Sequence, residues 1–278
     1  MAKRDHQFQI IIDSNSEQKE YLKDVYRYRE LFYFLAWRDI VVRYKQTFLG
    51  IIWAVVRPLL TMAVFAFVFG KVAHLATEQQ DYPLFVLSGL LPWLLFAGSL
   101  IDTKHSLVNN IHMISKVYFP RIVLPISDIM VHLVDFFISL AMLLLLLFLT
   151  GNLNHWSILG LPLFIGLTFL LCLGYGLWLS AASVRYRDLH FIVPFLVQFG
   201  VFISPVGYSS FLLSDSSQWL YFLNPMVGII EGFRWCCFGT YHANLVIAVM
   251  LSCLMNVGIC ISGFHFFRKT ERICADII

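Results

Sequence analysis

Three ionisable residues interrupt a stretch that is otherwise almost free of charge. Asp128, His132 and Asp135 stand at i, i+4 and i+7 in SDIMVHLVDFFISLAMLLLLLFL. At 3.6 residues per turn they share one face of a helix. Ionisable side chains at depth in a membrane face protein or water and often mark function. The plain alternatives are an internal pair, or a helix that begins below the bilayer and keeps its charges near the surface. Arg57, beside Pro58, opens another apolar stretch and reads first as an anchor that snorkels to the interface. Glu231 and Arg234 form an i, i+3 pair that either stabilises a short helix or guards an exit. Exposed pairs of this kind contribute little to stability.

No constellation in the chain supports catalysis. The GxxxxGK[ST] phosphate loop is absent, and Gly70-Lys71 is followed by Val72. HExxH, GxSxG and EF-hand patterns are absent too. The 9 His are scattered without paired metal spacing, and the 6 Cys include no CxxC. No catalytic residue, metal ligand set or cofactor site is therefore expected.

The elements that must position these residues follow from composition. Of 278 residues, 59% are hydrophobic and only 13% charged, about half the share usual in a soluble domain. Mean hydropathy is +0.75. A nucleic-acid binder would need a basic face on a soluble fold, and neither is visible. Residues 1–30 hold no apolar core of a signal peptide. A spanning helix needs roughly 20 apolar residues. Six such segments are predicted, at 51–73, 83–101, 125–149, 158–184, 191–208 and 245–267. The fifth is short, holds Pro194, Gly200, Pro205 and Gly207, and is expected to be bent or broken. The predicted fold is thus an all-α membrane protein.

Positive charge orients it. Of the 20 Lys+Arg, only Lys71 and Arg234 fall on the side of the first, third and fifth connections. The rest lie in the tails, in the loops after spans two and four, or, for Arg57, at the opening of the first span. Both termini are therefore expected in the cytoplasm. The organisation reads as a tail and interface helix at 1–49, a six-span domain at 50–270, and a short cytoplasmic tail at 271–278.

Three non-spanning segments stand out. Residues 20–50 mix Leu31, Phe34, Leu35, Ile40 and Val41 with Arg27, Arg29, Arg38, Arg43 and Lys45, as an amphipathic helix on an anionic membrane surface would. Tyr33 and Trp37 stand one turn apart on it. In the loop 108–121, Ile111, Ile114, Val117 and Tyr118 repeat at helical spacing, and Pro120 ends the run. Such a helix either docks a partner or merely hugs the lipid. The external segment 209–244 holds QWLYFLNP and MVGIIEGFRWCCFG, each too short to span, which read as re-entrant or interfacial pieces.

Five motifs, in order, resemble those of ABC-type polysaccharide and polyol phosphate export permeases. They are RDIVVRYKQTFLGIIWAVVRP (38–58), SKVYFPRIVLPIS (115–127), RYRDL (185–189), SPVGY (204–208) and NPMVGIIEGFR (224–234). The resemblance covers residues 30–270. It implies a second copy of the chain, hence a homodimer, and two separate ABC ATPase subunits that bind ATP and Mg. The substrate it implies is a lipid-linked polysaccharide leaving across a bacterial inner membrane, O-antigen first, with capsule or teichoic acid as alternatives. ATPase coupling falls to Asn109, Ile111, Met113, Ile114, Lys116 and Tyr118. The interface helix lies near the substrate portal, and the re-entrant pieces around 219–238 shape the external exit, so Trp219, Glu231, Arg234 and Trp235 are the expected external gate. Sugars bind aromatic faces without a fixed charge. On that ground Tyr33, Trp37, Phe199, Phe202 and Tyr208 are the expected polymer path, although aromatics in a membrane bundle usually serve packing or interfaces. Competing readings are an exporter of drugs or small lipids, a membrane-embedded transferase and a passive channel.

Overall fold

Within hydrocarbon each backbone polar group must be satisfied by the segment itself or its neighbours, and helices do this residue by residue. The computed structural model describes residues 18–45, 50–72, 81–151, 156–212 and 215–277, and the regular structure among them is helical throughout. Residues 1–17, 46–49 and 73–80 are among those that lie outside the described residues.

Helices α1 (Gln18–Arg27) and α2 (Arg29–Lys45) are separated only at Tyr28. The amphipathicity expected of this region belongs to α1 more than to α2. On α2, Leu35 and Ala36 are buried while Tyr33, Phe34, Trp37 and Val42 are exposed. This helix thus has apolar residues both against protein and away from it, and its charges are interleaved rather than gathered on one side. Helix α3 (Gly50–Phe65) runs into a π-helical turn, Ala66–Val72. Helix α4 (Tyr82–Thr103) starts with Pro83 in its first turn, where a missing N–H costs nothing.

Two one-turn helices follow, α5 (Ser106–Asn109) and α6 (Ile111–Ile114). The single helix expected over this loop is broken at Asn110. Its side-chain amide donates to the Ser106 carbonyl at 2.8 Å, a local bond that competes with helix continuation. Then come α7 (Val123–Leu149), a 3-10 turn Trp156–Gly160, α8 (Leu161–Arg185) and α9 (Leu189–Ile203). Helix α9 stops at Ile203, five residues before the end expected for the fifth span. Ser204 precedes Pro205 and is forced out of the helical region, to φ −84 and ψ 147. At 15 residues α9 reaches only about 22 Å, less than the roughly 30 Å of a hydrocarbon core. Helices α10 (Asp215–Tyr221), α11 (Pro225–Phe238) and α12 (Leu245–Ile277) complete the chain, and the boundary drawn at residue 270 falls inside α12.

Among the described residues, five helical segments are long and apolar enough to cross a membrane: Gly50–Lys71, Tyr82–Thr103, Val123–Leu149, Trp156–Arg185 and Leu245–Glu271. Their packing is unequal. Helix α4 is the centre, and the main core gathers around it from α7, α8 and α11. Helices α8 and α12 meet at backbone distance: a Cβ on Gly263 would lie 2.4 Å from the Gly174 carbonyl oxygen. Small residues commonly permit such contacts between membrane helices. By contrast, only 6% of the most apolar stretch of α3 is buried.

A second core joins Tyr21 and Leu35 to Leu107, Ile114, Phe119, Leu177 and Phe267. Glu271 of α12 covers it, accepting from the Arg121 backbone N–H at 3.0 Å and the Tyr21 hydroxyl at 3.3 Å. Helix α1, helix α12 and the α4–α7 connection are thus packed together.

Candidate functional site

The Asp128–His132–Asp135 face of α7 meets two elements that spacing alone did not connect to it. Arg43 of α2 places Nη2 2.7 Å from Asp135 Oδ2 and Nη1 3.7 Å from Asp102 Oδ2 at the end of α4. His132 Nε2 lies 2.6 Å from the same Asp102 oxygen. The Tyr44 hydroxyl donates to Asp135 Oδ1. Burial, reinforced by that bond and by the Asp135 charge, raises the Tyr44 pKa, so the phenol stays protonated as donor. Gly98 makes room for the imidazole, since a Cβ there would fall 2.5 Å from His132 Nδ1. Asp128 is not in this chain of bonds: its Oδ2 is buried without a hydrogen-bond partner. The three α7 residues therefore do not act as one group.

A cavity of about 240 Å³ lies beside this network, lined among others by Trp53, Arg57, His132 and Asp135. Arg57 reaches it from α3 and is exposed. Missing from the sequence reading were Tyr44 and Asp102, and the partner role of Arg43. The one available signal was that Arg43 and Asp102 each end an element adjoining the same side of the membrane.

The loop residues expected to dock a partner divide. Asn109, Ile111, Lys116 and Tyr118 are exposed, Met113 is half-buried, and Ile114 is part of the second core. Val117, outside the expected set, is exposed beside Tyr118. Just before this loop, the stacked rings of His105 and His190 lie 4.3 Å apart. Burial, then the neighbouring His190 and Lys104, hold the His105 pKa below its ordinary value.

At the other end of the bundle, α11 is set by its sequence. Asn224 caps it by accepting from the Met226 N–H at 3.0 Å, Pro225 opens it, and Gly239 ends it with φ 69. Gly228 and Gly232 bring it close: added Cβ atoms would fall 2.4 Å from the Ala248 carbonyl oxygen and 2.0 Å from Phe164. Glu231 and Arg234 are 4% and 2% exposed, so the pair is buried rather than a surface bridge. Its closest contact is 3.3 Å. Arg234 also donates to the Val206 and Tyr208 carbonyls at 2.7 and 2.9 Å, and Glu231 accepts from the Ser210 N–H at 2.7 Å. The pair therefore fixes the SPVGY turn onto α11. Trp219 is exposed and Trp235 half-buried.

The aromatic residues expected along a path form four separate pairs. Tyr33 and Trp37 stack on each other on the exposed side of α2, with centroids 6.4 Å apart. Phe202 of α9 stacks on Phe65 of α3 at 6.1 Å, and Phe199 on Phe195 at 4.5 Å. Tyr208 bonds the Tyr221 hydroxyl at 2.6 Å and is partly enclosed. Among the described residues, no group of three or more His, Cys, Asp or Glu could hold a metal ion.

A helical bundle with five apolar helices of membrane length defines a multi-pass membrane protein. Residues 30–238 match the family model described as ABC-2 type transporter, and the chain belongs to that family. It is 33% identical over 217 residues to the O-antigen export system permease protein RfbA of Myxococcus xanthus, covering 77% of this chain and 82% of that one. It is 28% identical over 244 residues to a protein of the same name from Klebsiella pneumoniae, covering 87% and 92%. Similarity extends to the polysialic acid transport protein KpsM of Escherichia coli, at 25% over 200 residues, 70% and 76% of the two chains.

Proposed function

We propose that this chain is the membrane subunit of an exporter of lipid-linked polysaccharide, O-antigen first, across a bacterial inner membrane. The observation that carries the reading is its similarity, over most of both lengths, to permeases named for O-antigen export. The subunit needs no cofactor, and a separate ATPase binds ATP and Mg. The α5–α6 loop is the ATPase contact through Asn109, Ile111, Met113, Lys116 and Tyr118, with Ile114 bracing it from beneath. Both termini are cytoplasmic. Helix α9, with the SPVGY turn that follows it, makes the fifth of six membrane crossings, and α10 and α11 are re-entrant helices at the external exit.

The working unit is a homodimer. Helix α3 covers little of its own chain, and α9 exposes Phe191, Phe195, Phe199 and Phe202. Together they supply the face on which a second copy packs and an aromatic path forms. Trp219 and Trp235 shape the outlet, while Glu231 and Arg234 hold its turn in place. The test is deletion of the gene in its host, with surface polysaccharide measured beside co-purification of an ATPase. Loss of surface polymer with accumulation of the lipid-linked chain inside is expected. Undiminished surface polymer refutes the reading.

A further inference from the structure

Arg43 stands between two carboxylates that belong to different spans. It is tight on Asp135 of α7 at 2.7 Å and loose on Asp102 of α4 at 3.7 Å. It is also the wall between two cavities. One is the 240 Å³ cavity bounded by α2, α3, α4 and α7. The other, about 330 Å³, is polar and lined by Asp39, Asp102, His105, Asn109, Asn110 and Asp128. Asn109 and Asn110 lie in the α5–α6 segment, so this second cavity extends from the loop to the ion pair.

The route through the backbone is short as well. His105 N–H donates to the Asp102 carbonyl at 3.0 Å, and Asn109 N–H to the His105 carbonyl at 2.9 Å. Displacement of α5 therefore reaches Asp102 through one continuous run of hydrogen-bonded turns. His132 holds the same Asp102 oxygen that faces Arg43. A guanidinium offers five donors in a fixed fork and can pass from one carboxylate to another without losing its charge partner. Its side chain is partly exposed, so the exchange is not blocked by packing.

We propose that Arg43 is a positioning residue that transmits movement of the α5–α6 segment to the interface helix α2 by shifting its hold from Asp135 toward Asp102. With Arg43 on Asp135, α2 is fastened to α7. With Arg43 on Asp102, α2 follows the end of α4, which the ATPase contact moves. The two arrangements are the discrete states a switching element requires. This rests on the exporter reading above.

The test uses the full chain with its own ATPase in native membranes. Val42→Cys, beside Arg43 on the polar cavity, reports the position of α2 through its reaction with a water-soluble thiol reagent, and the Val42→Ala chain sets the background from native cysteines. Labelling is expected to differ between the nucleotide-free and the vanadate-trapped complex, and that difference is expected to vanish in Asp102→Asn. Export per ATP hydrolysed should fall about tenfold in Arg43→Asp and in Asp135→Arg, the scale of a broken pairwise contact. Arg43→Lys, whose ammonium can still pass between the two carboxylates, should keep most of it. Labelling indifferent to nucleotide overturns the proposal. So does an Arg43→Lys chain no better than Arg43→Asp, or export that falls only in step with the amount of assembled complex. If the unaltered chain exports no polymer or retains no ATPase, the exporter reading itself fails, a result separable from the others.

Discussion

The guanidinium of Arg234 lies over the ring of Phe85, 3.7 Å from its centroid, with Nη2 donating to the Val206 carbonyl at 2.7 Å. One buried cation thus joins α11, α4 and the turn after α9. Removing it leaves Glu231 buried without its charge partner. Arg234→Met should cost about 3 kcal/mol or more, as broken buried pairs do. Glu231→Gln, which can still accept from Ser210, should cost less. Thermal unfolding of the detergent-solubilised protein checks the order of the two.

The close contact of α8 and α12 depends on glycine rather than on shape alone. In Gly263→Ala the new methyl meets the backbone oxygen of Gly174, which cannot swing away as a side chain can. The helices must separate, at a cost of about 1–3 kcal/mol. Gly166→Ala on the same α8 meets nothing within 4 Å and should be neutral. A pair of melting curves distinguishes these.

The loop separates docking from stability. Ile111→Asp and Val117→Asp alter exposed residues and should leave the melting temperature within the small range of surface changes, about 0.5 kcal/mol. Both should weaken ATPase co-purification. Ile114→Asp places a charge in the second core and should reduce the amount of folded protein first. Equal co-purification for all three, at equal expression, would remove the loop from the contact.

Acid should loosen the junction of α4 and α9. The folded state lowers the proton affinity of His105 below its ordinary value of 6.5. The unfolded chain then binds more protons as the pH falls, and stability declines with it. This contribution is present above 6.5 and is lost as the pH drops through and below that value toward the lowered one. Melting temperatures from about pH 7.5 to about pH 5.5 should fall less steeply in His105→Asn.

Legibility in the sequence followed physical cause. Five spans were readable to within a few residues because a long apolar run has few stable alternatives in a bilayer. The end of α9 was not, since the apolar run continues past Ile203 and only the steric effect of Pro205 on Ser204 stops the helix. The loop over 108–121 showed helical period, yet the Asn110 side chain breaks it. The Glu231–Arg234 spacing was visible, but its burial depends on Gly89, Gly228 and Gly232, whose contacts are distant in sequence. Arg43 read as one of the charges of an amphipathic interface helix. Its partners Asp102 and Asp135 come from two other helices, a relation no local pattern encodes.

Helix α3 has one buried residue, Pro58, whereas α4 carries Ser88, Ser99 and Thr103 fully enclosed by its neighbours. The order of synthesis turns this into a constraint on biogenesis. Helix α3 leaves the ribosome before α4, α7, α8 or α12 exists to receive it, and its own apolar length suffices to hold it in lipid. The second span follows with polar groups that later helices must cover. A chain halted after α4 should therefore present an inserted first helix and an unsheltered second one, the state in which quality-control proteases or an insertase would meet it.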